Sequence, residues 1–410
     1  MYKTILKHNT TMVRLYQRHD RLVAVTSLKI VRQCSQYINW DAQMLALRGA
    51  RGVGKTTIML QYIKQHYRPL DRTVLYCSLD DTYFATHTII DLVDQFYLMG
   101  GRHLFIDEVH KYADWSRELK QVYDAYPTMR IVLSSSSLLN IIAGEADLSR
   151  RCVIYNIQGL SFREFLHFYK GIELPAISMD QLLAAPQSLC AAVNEQCRPL
   201  PLFHEYLQYG CYPFYLKNPV DYYTLIEQTM VRIIDDEMPR LCGIELSNTR
   251  KVKALMDVLS SSEPFELDMQ KLSVQSGLQR VTLLGYLNHM QNAKLLNLLY
   301  CDLNNVKRLQ KPDKLYIENP NLLYALSSVP VKIGTVRETF AVNQLVYKHR
   351  VEYRKRQGDF LIDSRFIFEV GGSSKDYTQL AGVPDSFIFA DDCETPIGHK
   401  YPLWLLGFLY

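Results

Sequence analysis

Eleven consecutive residues restrict this chain more than any others: Leu47-Arg48-Gly49-Ala50-Arg51-Gly52-Val53-Gly54-Lys55-Thr56-Thr57. The stretch leaves an apolar run, Met44–Leu47, and enters a helical pattern at Ile58–Ile63. Its G-x-x-x-x-G-K-T spacing, between a strand and a helix, is that of a phosphate-binding P-loop. Glycines at 49, 52 and 54 let the backbone curl so that its N–H groups face an anion, where a Cβ would intrude. A helix beginning near Gly54 turns its positive end toward the same place. Lys55 brings a mobile ammonium to the outer phosphates, and the Thr56 hydroxyl is a hard oxygen ligand suited to Mg²⁺. The loop residues Gly49, Ala50, Arg51, Gly52, Val53, Gly54, Lys55, Thr56 and Thr57 are thus the expected nucleotide contacts.

The flanking sequence supports that reading. Thr73–Ser78, Arg102–Ile106 and Arg130–Leu133 are short, almost continuous apolar runs, as expected of strands buried on both faces of a parallel sheet. Helical patterns at Thr86–Tyr97 and Trp115–Tyr126 separate them, and a helical lead over residues 12–39 precedes the first. Alternation of this kind predicts a doubly wound α/β domain with its ligand at the carboxyl ends of the strands. One such end carries Leu104-Phe105-Ile106-Asp107-Glu108. Paired carboxylates beside a P-loop divide the labour: Asp107 is expected to hold the metal and Glu108 to polarise the attacking water. The next strand ends in Ser134–Ser137, where Ser136 or Ser134 would sense the γ-phosphate; a polar loop capping a following helix is the other reading. Arg150 and Arg151 lie downstream, and Arg151 is the candidate arginine finger, with a surface ion pair as its alternative.

Gly49–Thr57, Phe105-Ile106-Asp107-Glu108-Val109-His110-Lys111 with Trp115, the serines at 134–137, Arg151 and Leu160-Ser161-Phe162-Arg163-Glu164-Phe165 together resemble the AAA-type ATPases of bacteria and archaea. In that family a C-terminal domain of unknown function, related to the restriction-endonuclease fold, follows the ATPase. The resemblance implies an AAA+-like fold, ATP as the nucleotide with Mg²⁺, and assembly into homo-oligomers. Choice of adenine rests on it alone, although no N-K-x-D element marks guanine specificity.

At 410 residues the chain exceeds a single core. The expected division is an AAA+-like P-loop domain with its helical lead (1–165), a helical lid (166–245), a winged helix (246–330) and a small α+β nuclease-like domain (331–410). In the third part, Leu283, Tyr286, Leu287 and Met290 fall on one face of a helix, and Leu295–Tyr300 with Lys314–Ile317 would form the wing. The outer face of that helix offers Gln279, Arg280, Thr282, Asn288 and His289, polar but scarcely basic, so either DNA or a protein partner suits it. The formal charge of +4 does not by itself indicate a nucleic-acid binder, although Lys3, Lys7, Arg14, Arg18, Arg21, Lys29 and Arg32 crowd the first forty residues against Asp20 alone. Nine scattered cysteines without a C-x-x-C pair point to reduced thiols and a cytoplasmic location. No apolar run is long enough to span a membrane.

The last part carries a second constellation, Glu338…Asp359…Glu369-Val370-Gly371. It follows the nuclease pattern E…D…E-x-K, in which carboxylates hold Mg²⁺ and a lysine steadies water. Glycine occupies the lysine position, and the nearest replacement is Lys375. That departure favours a nuclease-like fold used for binding rather than for cleavage. The expected activity of the whole is a Mg²⁺-dependent ATPase whose cycle moves its C-terminal domains. The alternatives are a nucleotide-controlled switch with little turnover and an ATP-gated nuclease.

Overall fold

The computed structural model describes residues 2–136, 148, 150–262, 268–301 and 311–410, with the backbone alone for 2–11 and 136. It divides into two compact units, Met1–Gln158 and Gly159–Tyr410. Among the described residues no helix is long and apolar enough to cross a membrane.

The first unit is built on a five-stranded sheet, β1 (Met44–Gly49), β2 (Val74–Ser78), β3 (His103–Asp107), β4 (Arg130–Ser136) and β5 (Val153–Asn156), in the order β2-β3-β4-β1-β5. Every pairing is parallel. β2 and β3 are buried along their whole length, which explains why their sequences are apolar runs rather than alternations. α2 (Lys55–His66), α3 (Ile89–Leu98) and α4 (Trp115–Ala125) are the intervening helices. Thr88 begins α3 with a capping box to Asp91. Because β1 lies between β4 and β5, with β3 beyond β4, the carboxyl ends of β1 and β3 open onto the same edge.

One expectation needs correction here, and one strand goes beyond the expected set. The helical lead is α1, Tyr2–Val25, followed by an irregular stretch and a short 3-10 turn at Gln33–Tyr37, not one helix over 12–39. β5 was not foreseen: Val-Ile-Tyr-Asn is an edge strand with exposed Val153 and Asn156, and it lacks the buried apolar signature of its neighbours.

The second unit starts with helices, among them Pro199–Tyr209 and Tyr222–Arg232. Three more follow, Leu246–Ser260, Met269–Ser276 and Arg280–Asn292, and then an antiparallel pair, β6 (Leu296–Leu299) and β7 (Lys314–Ile317). Leu283, Tyr286, Leu287 and Met290 are all buried, as their spacing predicts. A second five-stranded sheet closes the chain: β8 (Val351–Tyr353), β9 (Phe360–Ile362), β10 (Phe366–Gly371), β11 (Ser386–Ala390) and β12 (Lys400–Pro402). β10, β11 and β12 are parallel, whereas β9 runs antiparallel to both β10 and β8. The helix Ile333–Leu345 packs against this sheet. The greasy C-terminal segment Leu403–Phe408 is buried, with Trp404 and Phe408 edge-on to Phe162.

Candidate functional site

The turn after β1 has the shape its glycines promise. Gly52 and Gly54 both take positive φ, +87° and +95°, where a side chain would be strained. Gly49 is required for a different reason: a Cβ there would lie 2.1 Å from the Ile157 carbonyl oxygen, so the glycine permits close approach of the backbone after β5. Gly54 stands at the N-cap of α2 and offers no side-chain cap, which leaves the helix's positive end facing the turn. The Lys55 ammonium folds over the loop, donating to the carbonyls of Gly49 (2.8 Å) and Ala50 (2.9 Å).

Asp107, at the end of β3, is the hub of the site. Its Oδ2 accepts the Thr56 hydroxyl at 2.7 Å and the Tyr76 hydroxyl at 2.7 Å. Its Oδ1 accepts the Ser134 hydroxyl and the Glu108 N–H, the latter at 3.2 Å. The two metal candidates, Thr56 and Asp107, are therefore already in contact. A hydroxyl and a carboxylate are hard oxygen donors, the kind Mg²⁺ selects, so the residues present fit that ion.

Glu108 follows in a left-handed backbone conformation, φ 56° and ψ 43°. For a residue with a side chain this costs about 1–2 kcal/mol. Its N–H also donates to Ser134 Oγ at 3.1 Å, which helps hold the turn. The carboxylate lies 3.0 Å from buried His110 Nε2 and 3.4 Å from Arg51. Burial alone would raise its pKa, but His110, Arg51 and Lys55 outweigh that and hold it down at about 2. Glu108 is thus ionised throughout the neutral range and is a weak base.

Of the other expected residues, Ser134 reaches the site, and the Ser136 backbone pairs with Gly49; the Ser136 side chain and Ser137 lie outside the described residues. Arg151 forms a two-pronged pair with Asp124, at 2.9 and 3.1 Å, beside the Tyr123 ring. Sequence reasoning passed over three participants. Tyr76 sits on β2, and nothing in its own strand marks it; its role follows from β2 lying next to β3. Buried Arg32 donates to the Val53 and Gln158 carbonyls, at 3.0 and 2.8 Å, and braces the loop from the N-terminal lead. His110 is three residues beyond Asp107, and only the left-handed turn at Glu108 brings it back.

In the second unit, Glu338, Asp359 and Glu369 also come together. Burial, then Glu338, then Glu369, push the Asp359 carboxyl up to about 7. Asp359 Oδ2 accepts the Val370 N–H at 2.8 Å. Glu338 accepts Lys314 at 2.7 Å and the Tyr316 hydroxyl at 2.6 Å. The ammonium of Lys375 bonds Glu369 directly. A Cβ on Gly371 would be only 3.1–3.2 Å from the Lys375 stem. The lysine thus lies over the glycine that stands in its expected place.

Residues 41–166 match a family model described as an AAA domain, and residues 200–332 match one described as a domain of unknown function. Two uncharacterized proteins of Methanocaldococcus jannaschii are similar over most of the chain. One is 24% identical, covering 92% of this chain and 86% of its own length, and the other 21%, covering 84% and 77%. Among solved structures, the Orc1 protein of Aeropyrum pernix in complex with DNA is 10% identical over 81% of this chain and 93% of its own, with a TM-score of 0.32. AMPPCP-bound DnaA of Aquifex aeolicus is 15% identical over 61% and 82%, with a TM-score of 0.24. The family match and the five-stranded parallel sheet agree: the chain carries an AAA-type P-loop domain.

Proposed function

We propose that this chain binds ATP in the turn after β1 and hydrolyses it with Mg²⁺, and that hydrolysis moves a lid (166–245), a winged helix (246–330) and a nuclease-like domain (331–410) that engage DNA or a protein partner. One observation carries the reading: the hydrogen bond between Thr56 and Asp107 joins the loop to the strand edge that bears Glu108. The backbone amides of the loop and the start of α2 receive the phosphates, and Lys55 exchanges the carbonyls of Gly49 and Ala50 for phosphate oxygens. Thr56 and Asp107 would hold Mg²⁺, which when bound neutralises phosphate charge. Glu108 orients the attacking water by accepting its hydrogen bond. With so low a pKa it acts by position and charge rather than by stripping the proton in the ground state. Arg151 would complete a neighbouring protomer's site, exchanging Asp124 for a γ-phosphate, and Ser136 would read that phosphate within the chain.

Steady phosphate release by the wild-type protein with Mg²⁺, and a loss of about a hundredfold or more in Glu108→Gln with nucleotide still bound, is the expected pattern. A wild-type rate in Glu108→Gln removes that residue from the mechanism. Retention of one nucleotide without turnover by the wild-type protein would make the chain a binding switch instead.

A second reading has its own observation. Lys375 restores a lysine beside Glu369 despite Gly371, which keeps an ATP-gated nuclease open as a reading of the last sheet. Nicking of supercoiled plasmid that disappears in both Glu369→Ala and Lys375→Ala supports it; absence of nicking with Mg²⁺ and ATP leaves the fold as a binding domain.

A further inference from the structure

Three side chains from distant parts of the second unit converge beside the end of β10. His204 projects from the helix Pro199–Tyr209, and Asp391 and Asp392 follow β11 directly. Each offers one ligand atom, and the three atoms lie within 4.8 Å of one another. His204 Nε2 is 3.3 Å from Asp391 Oδ1 and 3.4 Å from Asp392 Oδ1. We propose that His204, Asp391 and Asp392 form a zinc site.

The spacing favours a small tetrahedral ion. With zinc–nitrogen and zinc–oxygen bonds of about 2.0–2.1 Å, neighbouring ligand atoms of a tetrahedron stand about 3.3–3.4 Å apart. Both measured edges to His204 have that length. An imidazole with two carboxylates is a ligand set that zinc accepts, and three protein ligands leave a fourth position for water.

The surroundings orient the ligands, chiefly through the carboxylate oxygens other than those facing His204. Arg337, on the helix Ile333–Leu345, takes the opposite oxygens: its Nε is 2.9 Å from Asp391 Oδ2 and its Nη2 is 3.3 Å from Asp392 Oδ2. Both Oδ1 atoms are thereby turned toward His204. The Asp392 N–H donates to Asp391 Oδ1 at 2.9 Å, and the Asp391 N–H donates to the Gly371 carbonyl at 2.9 Å, which ties the pair to the end of β10. Outer hydrogen bonds of this kind orient carboxylate ligands and raise affinity. With the imidazole neutral, two carboxylates and one guanidinium leave a net charge of minus one, which attracts a cation. Asp391 is buried, while Asp392 and His204 are about half exposed, so an ion can enter from solvent.

The full chain, stripped with chelator and dialysed without nucleotide, is titrated with ZnCl₂ against a chromophoric chelator, and separately with Co²⁺. One zinc per chain is expected. The cobalt form should show the intense visible bands of tetrahedral coordination without a thiolate charge-transfer band. His204→Gln and Asp392→Asn should each weaken zinc by at least about tenfold, while circular dichroism confirms that both fold. Absence of stoichiometric zinc, wild-type affinity in either variant, or a sulfur-to-cobalt band would overturn the proposal and leave an ion-paired cluster.

Discussion

The Thr56 hydroxyl donates to Asp107 Oδ2 at 2.7 Å, linking the first turn of α2 to the end of β3. The same oxygen accepts the Tyr76 hydroxyl at the same distance, so the carboxylate is held from the loop side and from the neighbouring strand at once. Two residues that sequence reading assigns to one metal are thus in register, and a third that it missed fixes their aim.

Tyr76→Phe removes one donor to Asp107 while keeping the buried ring. The Mg²⁺ concentration for half-maximal phosphate release should rise by about tenfold, the usual consequence of losing a partner to a metal-ligating carboxylate. Binding of ATP in EDTA should not change. An unaltered Mg²⁺ requirement would show that Thr56 and Ser134 suffice to orient Asp107.

Arg32 is buried, and its guanidinium satisfies the Val53 and Gln158 carbonyls. In Arg32→Ala both carbonyls lose a charge-assisted bond, a cost of about 2–4 kcal/mol. Urea unfolding followed by circular dichroism should show that loss, and ATP affinity should fall with it because the loop loses its brace. A midpoint equal to wild type would contradict this role.

Much of the P-loop unit could be read directly because its strands are buried on both faces and so appear as apolar runs. β5 could not: as an edge strand it exposes Val153 and Asn156 and leaves no such trace. Asp107 and Glu108 were readable from local order, whereas Tyr76, Arg32 and His110 depend on which strand lies beside which and on a left-handed turn. Gly371 stands in the sequence where the nuclease pattern has its lysine. That Lys375 lies over it depends on the turn after β10, which residue spacing alone does not specify.

Asp359 gives a pH dependence of definite sign. An aspartate titrates near about 3.9 when unfolded, and here burial with Glu338 and Glu369 pushes it up to about 7. The native state therefore binds the proton more tightly, and this contribution to stability is full below about pH 4 and is lost as pH rises to about 7. Melting temperatures in EDTA should show Asp359→Asn gaining on the wild type across that interval and levelling above it. A difference independent of pH would show that burial and its two acidic neighbours do not raise the Asp359 carboxyl.

The central claim is that the turn spanning Gly49–Thr56 grips a nucleoside triphosphate and its metal. Titration calorimetry of Mg²⁺–ATP into the full chain tests it most directly. One site per chain is predicted for the wild type, with binding weakened by about a hundredfold or lost in a folded Lys55→Ala variant, which removes the ammonium that now rests on Gly49 and Ala50. No heat of binding in the wild type, or equal affinity in Lys55→Ala, would contradict the account.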